Sequence, residues 1–492
     1  MRAATNLLLP LSVLLQSSYA ATGAAQQNAT SVPAPITTVT DASVFSYVYA
    51  VPLAAFAKLA APVLTAVGTN KVVSAQTLSG PQDTTVVRPN VDTLYSTGIL
   101  DLSQDDLVLT VPNISDGRYW LFPFYDLYGN NFADISIIAN SPPGDYLIRR
   151  ASDSLQQPGI AYTTTTANCI PRYKGVVDYP TTYGTLLVRI LVRGNSTAEL
   201  ATVHKYQAGI GLQAVPRTTT QPYTLPASSL TAALLQSNAS SAPAQLLDLL
   251  ARFAPFNGPE ILSDTFRVGS TLGLAGLAGG IYNQPPSVNL TAISASAATS
   301  IAAVASLPSN IVPLGNGWSV LQSSVSGNFG TNYAARALIA NSGYLQLTSE
   351  QVIYPSWSAG GPNGSSTSLA KNESYLITFS GRPPILSDGF WSLTVYNAEQ
   401  YLVANPLDRY EIGDRTDGLN FEGGKGIVYR TNATATDGVF QVLIQPADVA
   451  PPANWTSKYV FPGSQSGRSH TNATNSWLPA PAGGGPLSFT CE

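Results

Sequence analysis

"TLYSTGILDLSQDDLVLTVP", residues 93–112, decides the fold class. Two runs rich in Thr, Val, Ile and Leu are separated only by "SQDD", which reads as two strands joined by a short polar turn. The following runs, "RYWLFPFYDL" (118–127), "NFADISII" (131–138) and "TLLVRILVR" (185–193), repeat the pattern. "NISDG" and "YGN" punctuate them. Short strands with short turns predict an antiparallel sandwich or barrel rather than a parallel α/β sheet.

Working outward, "ASVFSYVYAVPLAAFAKLAAPV" (42–63) has helical spacing, with Thr40 or Asp41 as its cap and Pro52 expected to kink or divide it. Helices are also expected at 197–212, 243–256, 259–277, 290–307 and 331–345, and strands return at 373–379, 389–397 and 438–446. The fold class is therefore α+β and β-rich. Two antiparallel β-sandwich-like domains, at 40–205 and 320–492, are joined by a helical bridge at 206–319.

Residues 1–20 carry Arg2, the apolar run "NLLLPLSVLL" and the small residues Ser18 and Ala20, the pattern of a cleaved export signal. Residues 21–39 are Ala/Thr/Gln/Pro-rich and expected to be flexible. No later segment reads as a membrane span, "TLGLAGLAGG" being short and glycine-rich. Ten Asn-x-Ser/Thr sequons fit secretion from a eukaryotic, fungal-style cell to the medium or wall: Asn28, Asn113, Asn195, Asn238, Asn289, Asn363, Asn372, Asn432, Asn454 and Asn472. Cys169 and Cys491 are the two cysteines. In an oxidising compartment they can pair; the alternative is two separate thiols.

The net charge of −4, with charged residues only 11% of the chain and no basic run, argues against a nucleic-acid partner. Two histidines, His204 and His470, exclude a multi-histidine metal centre and all but exclude a Cys/His zinc site. Neither a nucleophile elbow nor a phosphate-cradling glycine loop occurs. No cofactor is expected. A hard-cation site from Asp126, Asn130, Asn131 and Asp134 has suitable oxygen ligands but matches no established loop spacing.

The stretch "RPNVDTLYSTGILDLSQDDLVLTVPNISDGRYWLFPFYDLYGNNFADI" (88–135) resembles the N-terminal half of a two-domain family, the domain of unknown function numbered 1254. "SGRPPILSDGFWSLTVYNAEQYLVANPLDRYEIGDRT" (380–416) and "NSWLPAPAGGGPLSF" (475–489) resemble its usual partner, numbered 1214. The resemblance implies paired β-sandwich-like domains in an exported protein, with an association to phosphoester hydrolysis on polyphosphorylated small molecules. The loop at 358–372 and the insertion before Trp477 depart from the family pattern.

Two polar sets follow. Around the first signature, Arg88 can grip an anion bidentately, with Asn90, Tyr125 and Asn130 as further substrate contacts. Asp92 or Asp126 can accept a proton and Tyr95 can donate one, provided that they converge on one pocket. In the bland reading, Asn90 and Asp92 cap a turn and Arg88 is their ion partner. In the second set, Arg409 and Arg415 either reach a substrate or form a charge network with Asp408 and Asp414 that locks the domains. Tyr333 and Arg336 share one helix face, where Arg336 can equally be structural. The leading expectation is a metal-independent secreted hydrolase of anionic, phosphorylated small molecules. The alternatives are a non-catalytic glycan-binding or cell-surface protein, and a polysaccharide lyase. The oligomeric state is open.

Overall fold

The computed structural model describes residues 35–449 except 85–87, 155, 164–171, 218–224, 231–241, 358–367, 370–373, 384, 398, 400, 406, 417–418, 422–427, 429–437 and 447–448. Beyond these it describes 459–463, 469–470 and 488–489. The expected signal segment, both cysteines and the sequons at Asn28, Asn238, Asn363, Asn372, Asn432, Asn454 and Asn472 lie outside the described residues. The remaining sequon residues, Asn113, Asn195 and Asn289, are exposed.

Thr38 caps the first helix, α1 (Val39–Val67). Its hydroxyl accepts from the Asp41 amide at 3.1 Å and donates to the Asp41 carboxylate at 2.6 Å. The cap lies earlier than Thr40 because Asp41 at the third helical position answers both the cap and the helix dipole. Pro52 and Pro62 lie inside α1, and neither divides it. An interior proline costs a helix about 3 kcal/mol. Burial of Tyr49, Leu53, Phe56 and Ala60 along one stripe offsets that cost.

The opening stretch forms the expected strands. The chain runs β1 (Val72–Ser74), β2 (Thr93–Asp101), β3 (Asp105–Val111), β4 (Trp120–Asp126), β5 (Asn131–Ser136), β6 (Gly144–Arg150), a short α2 (Ala151–Ser154), β7 (Gly159–Tyr162), β8 (Gly175–Tyr179) and β9 (Tyr183–Leu191). Then come α3 (Thr197–Ala208) and β10 (Gly211–Pro216). Two five-stranded sheets result, ordered β1-β2-β9-β4-β5 and β10-β3-β6-β8-β7. All their pairs are antiparallel except β6 with β8. Trp120, Phe122 and Phe124 of β4 meet Leu107, Leu109, Ile148 and Val177 of the second sheet in one sandwich core. Because β10 pairs with β3, the sandwich continues past the expected boundary at 205.

The alternate β4 residues Leu121 and Tyr125 pack with Leu345, Leu347, Val352 and Phe390 from later in the chain. Every residue of β4 and β9 is buried, since that sheet is covered on both faces. Their near-continuous apolar sequences follow from this double burial.

Helices α4 (Ala242–Phe253), α5 (Thr265–Leu274) and α6 (Leu290–Val304) follow, then α7 (Tyr333–Ser342); between α5 and α6 lies a hairpin of β11 (Leu277–Ala278) and β12 (Ile281–Tyr282). The run 259–277 is thus a helix and half a hairpin rather than one helix. Gly276, at φ 91°, makes the break: a Cβ there would stand 2.1 Å from the Asn283 carbonyl oxygen. α1 packs against α4, α5, α6 and α7 and is the centre of this helical unit. By length and composition it is the one described helix that could cross a membrane.

The C-terminal part is built from small sheets. The largest described ones are β13 (Ile311–Gly315), β14 (Trp318–Leu321) and β16 (Ser356–Trp357), and β18 (Tyr375–Phe379), β21 (Phe440–Pro446) and β22 (Tyr459–Gly463). β15 (Val352–Ile353) pairs with β24 (Ser488–Phe489), β17 (Ser368–Leu369) with β23 (Ser469–His470), and β19 (Ser392–Leu393) with β20 (Ile412–Gly413). Phe379 stacks on Phe440 at 4.4 Å beside Trp391, in a core with Leu393, Ile412 and Ile444.

Candidate functional site

The residues of "RPNVD" turn toward the C-terminal domain. Arg88 is half-buried at φ 52°. The buried Asn90 closes the turn: its Oδ1 accepts from the amides of Asp92 and Thr93, both at 2.8 Å. Asp92 is 1% exposed. Its Oδ2 accepts from the Ser392 hydroxyl at 2.6 Å, and its Oδ1 receives Nη2 of Arg415. Arg415 also bonds Asp414 at 3.0 Å and lies over the Phe390 ring at 4.8 Å. The Tyr396 hydroxyl donates to the Pro89 carbonyl at 3.2 Å, while Val91, Tyr396 and Leu402 form a small apolar cluster. Such a set of charge-assisted bonds across two domains is a lock.

Glu411 stands beside this lock with its Oε2 buried and without a hydrogen-bond partner among the described residues. Burial pushes its carboxyl up to about 7, reinforced by Asp92 and Asp414 and opposed by Arg415 and Arg409. The Arg409 backbone is held on both sides by the Asn405 side chain, at 2.9 and 3.3 Å.

The two candidate proton acceptors, Asp92 and Asp126, do not share one site. The Asp92 carbonyl meets the Val192 amide, whereas Asp126 is level with Gly184. Eight residues along an extended strand separate those levels, about 26 Å. Tyr95 is half-buried under the Arg189 guanidinium at 5.3 Å. The Tyr125 hydroxyl donates to the Leu345 carbonyl at 2.7 Å, tying β4 to the segment after α7. Asn131 Nδ2 donates to Asp134 at 2.9 Å, and amide hydrogens likewise occupy Asp126. Both Asp126 oxygens and Asp134 Oδ1 thus accept from N–H donors. The described residues contain no group of three or more His, Cys, Asp or Glu able to hold a metal ion. His204 Nε2 lies 3.0 Å from the Gln76 carbonyl oxygen, and His470 lies in β23.

At the other end of the sheet, Asp126 and Asn130 join a buried polar cluster. Asp126 Oδ1 accepts from the Tyr128 and Asn130 amides, both at 2.9 Å, and Oδ2 accepts from Asn130 Nδ2 at 2.6 Å. Burial raises its carboxyl pKa, while the nearby Arg336 charge lowers it. Arg336, 1% exposed on α7, is enclosed by the rings of Tyr49, Tyr128 and Tyr333 at 4.4, 4.5 and 4.7 Å. Among the described residues its Nε and Nη1 have no hydrogen-bond partner, nor do the Tyr344 hydroxyl, Asn130 Oδ1 and Glu260 Oε2. The Glu260 carboxyl is pushed up to about 7 by burial and by Asp126, against its bond with Asn328 Nδ2 at 2.7 Å and the Arg336 charge.

Tyr49 is also the inner wall of a cleft of about 300 Å³. α4 contributes Ala251, α5 contributes Thr265, Val268, Gly269 and Leu272, and the β11–β12 hairpin contributes Leu277 to Gly280. Positions 265, 268, 269 and 272 share one helix face. Asn257, Gly258 and Pro259 complete the wall next to Glu260. The buried Asn257 joins the cleft to the sandwich: its Oδ1 accepts from the Thr182 amide at 2.9 Å, and its carbonyl accepts from the Tyr128 hydroxyl at 2.7 Å.

Sequence reading found Asp126, Asn130, Tyr333 and Arg336 but not their meeting. It missed Tyr49, Asn257 and Glu260. An arginine inside the otherwise apolar "NYAARALIA", and an i,i+4 aromatic pair at Phe45 and Tyr49, were the available signals.

Comparison with known proteins finds two family models, in the expected order. Residues 69–214 match the model of a protein of unknown function, DUF1254, and residues 359–459 match a second such model, DUF1214. The crystal structure of the VPA0106 protein from Vibrio parahaemolyticus is 16% identical, with a TM-score of 0.53, over 89% of this chain and 94% of that chain. An uncharacterized protein from Burkholderia cenocepacia is 12% identical, with a TM-score of 0.35, over 90% of this chain and 86% of that one. No curated protein matches the chain. The first likeness shows the fold, and with the two matches in the expected order, the chain belongs to the family that pairs an N-terminal DUF1254 domain with a C-terminal DUF1214 domain.

Proposed function

We propose that this chain is an exported glycoprotein whose task is to recognise a small molecule in the cleft between α4, α5 and the β11–β12 hairpin. The cleft itself carries the reading: at about 300 Å³ it has the size of a small-ligand site. Its inner wall, Tyr49, is stacked on the caged Arg336. Export is supported by the signal-like leader and by the exposure of all three described sequon asparagines. Asn289 caps α6 through Oδ1, at 3.1 Å from the Ala292 amide, which leaves its Nδ2 for a glycan.

Hydrolysis of the bound molecule is a second reading, favoured by Glu260. A carboxyl near 7, with a free oxygen and directly after a wall residue of the cleft, is suited to move a proton at neutral pH. Asp92 and Arg415 are outside this reading because their bonds hold two domains together. The test is a thermal-shift screen of small organic molecules on the secreted protein and on Gly269→Leu. A Cβ at Gly269 meets nothing within 4 Å, so leucine fills the cleft without disturbing the helix. Shifts abolished by Gly269→Leu support the reading. Identical shifts in both proteins would place the site elsewhere. For the hydrolase reading, product release should fall in Glu260→Gln while binding is retained.

A further inference from the structure

The walls of the cleft say which chemistry it takes, an inference that rests on the small-molecule reading above. We infer that its ligand is a neutral, mainly apolar molecule of about ten non-hydrogen atoms with one hydrogen-bonding end, the size following from roughly 30 Å³ per water-sized group.

None of the wall residues is charged: Ala251, Pro255, Val268, Leu272, Leu277 and the glycines dominate them. The cations on the framing elements are already committed. Arg252 is bonded to Asp248 at 2.6 Å, and Arg267 holds Asp264 with two bonds at 2.6 and 2.7 Å. Arg336 lies behind Tyr49, among three aromatic rings. A phosphate or carboxylate entering the cleft would lose its water and find no free counter-ion, which is expensive. A neutral molecule meets no such penalty, and Thr265 offers a hydroxyl on the wall.

The exposed surface around α5 and the hairpin is apolar too, by a separate observation. Four of the eight large apolar side chains exposed among the described residues fall within residues 262–281, so apolar surface is concentrated here rather than spread. Phe266, next to the wall residue Thr265, is 87% exposed, and Ile281, next to Gly280, is 58% exposed.

Calorimetric titration of the intact secreted protein with 1-octanol, sodium octanoate below its micelle concentration, glucose 6-phosphate and methyl β-glucoside tests this. Saturable 1-octanol binding is expected, lost in Gly269→Leu and weakened about fivefold in Thr265→Val, which removes the hydroxyl on the wall. Circular dichroism checks that both variants fold. Octanoate binding tighter than 1-octanol would overturn the neutral ligand class. Glucose 6-phosphate or the glucoside binding alone, and lost in Gly269→Leu, would overturn the apolar class while leaving the small-molecule site in place. Absence of binding by all four would overturn both readings.

Discussion

Replacing Arg415 with methionine should open the contact between the two domains. The guanidinium is 10% exposed and bonds Asp92, itself 1% exposed, as well as Asp414. Methionine keeps much of the side-chain volume over Phe390 but strands a buried carboxylate. Breaking one side of a buried pair costs about 3–5 kcal/mol, and the low exposure leaves little solvent screening to discount. Unfolding of a multidomain chain is not one transition, so hydrogen–deuterium exchange is the better assay. Amides around 90–96 and 390–396 should exchange about a hundredfold faster, the equivalent of roughly 3 kcal/mol. Asp92→Asn should do less, since Arg415 retains Asp414. The double variant should fall short of the sum by about 1–2 kcal/mol, the signature of coupling. Exchange within threefold of wild type in Arg415→Met would refute the lock, as would strict additivity.

Stability should fall as pH rises from about 4.5 through 7. Glu260, Glu411 and Asp134 are each raised to about 7, mainly by burial, so the folded state binds more protons than the unfolded state in that window. A melting temperature that climbs from pH 5 to 8 would contradict the sign, and Glu411→Gln should flatten the slope. Gly276→Ala should destabilise by about 2 kcal/mol or more, because alanine is strained at φ 91° and its Cβ meets the Asn283 carbonyl oxygen; an unchanged urea midpoint would count against this. Thr291→Ala should remove one glycan by mass spectrometry at no cost in stability. Asn289→Ala should remove the same glycan and destabilise by about 1 kcal/mol through the lost cap.

The sandwich was legible because strands and turns leave local marks: "SQDD" and "NISDG" cut the chain where β2, β3 and β4 end or begin. The hairpin after α5 was not, because "LGLAGL" is equally apolar in a helix or a hairpin, and the decision rests on one glycine packed against Asn283. Site residues divide similarly. Asn90 as a turn closer follows from its own neighbours, as does the kinship of Asp126 with Asn130. The Asp92–Arg415 bond spans 323 positions, and the cage brings Tyr49 to Arg336 across 287. Such meetings are set by packing, about which local pattern is silent. Arg88 and Asp92 drew a catalytic reading because buried locks and active sites use the same residue types.

α1 carries a consequence for assembly. Its apolar stripe is made among the first described residues, yet the surfaces that cover it, on α4, α5, α6 and α7, are translated some 180 to 300 residues later. During synthesis the chain must carry a long, greasy helix before its covering helices exist. Contacts of such long range slow folding and lengthen exposure to aggregation. The sandwich, complete by residue 216, can form first and wait. Closure of α7 over α1 then becomes the late step, and it is the same step that encloses Arg336 between Tyr49 and Tyr333. The last stretch to arrive is therefore the one that hides the first.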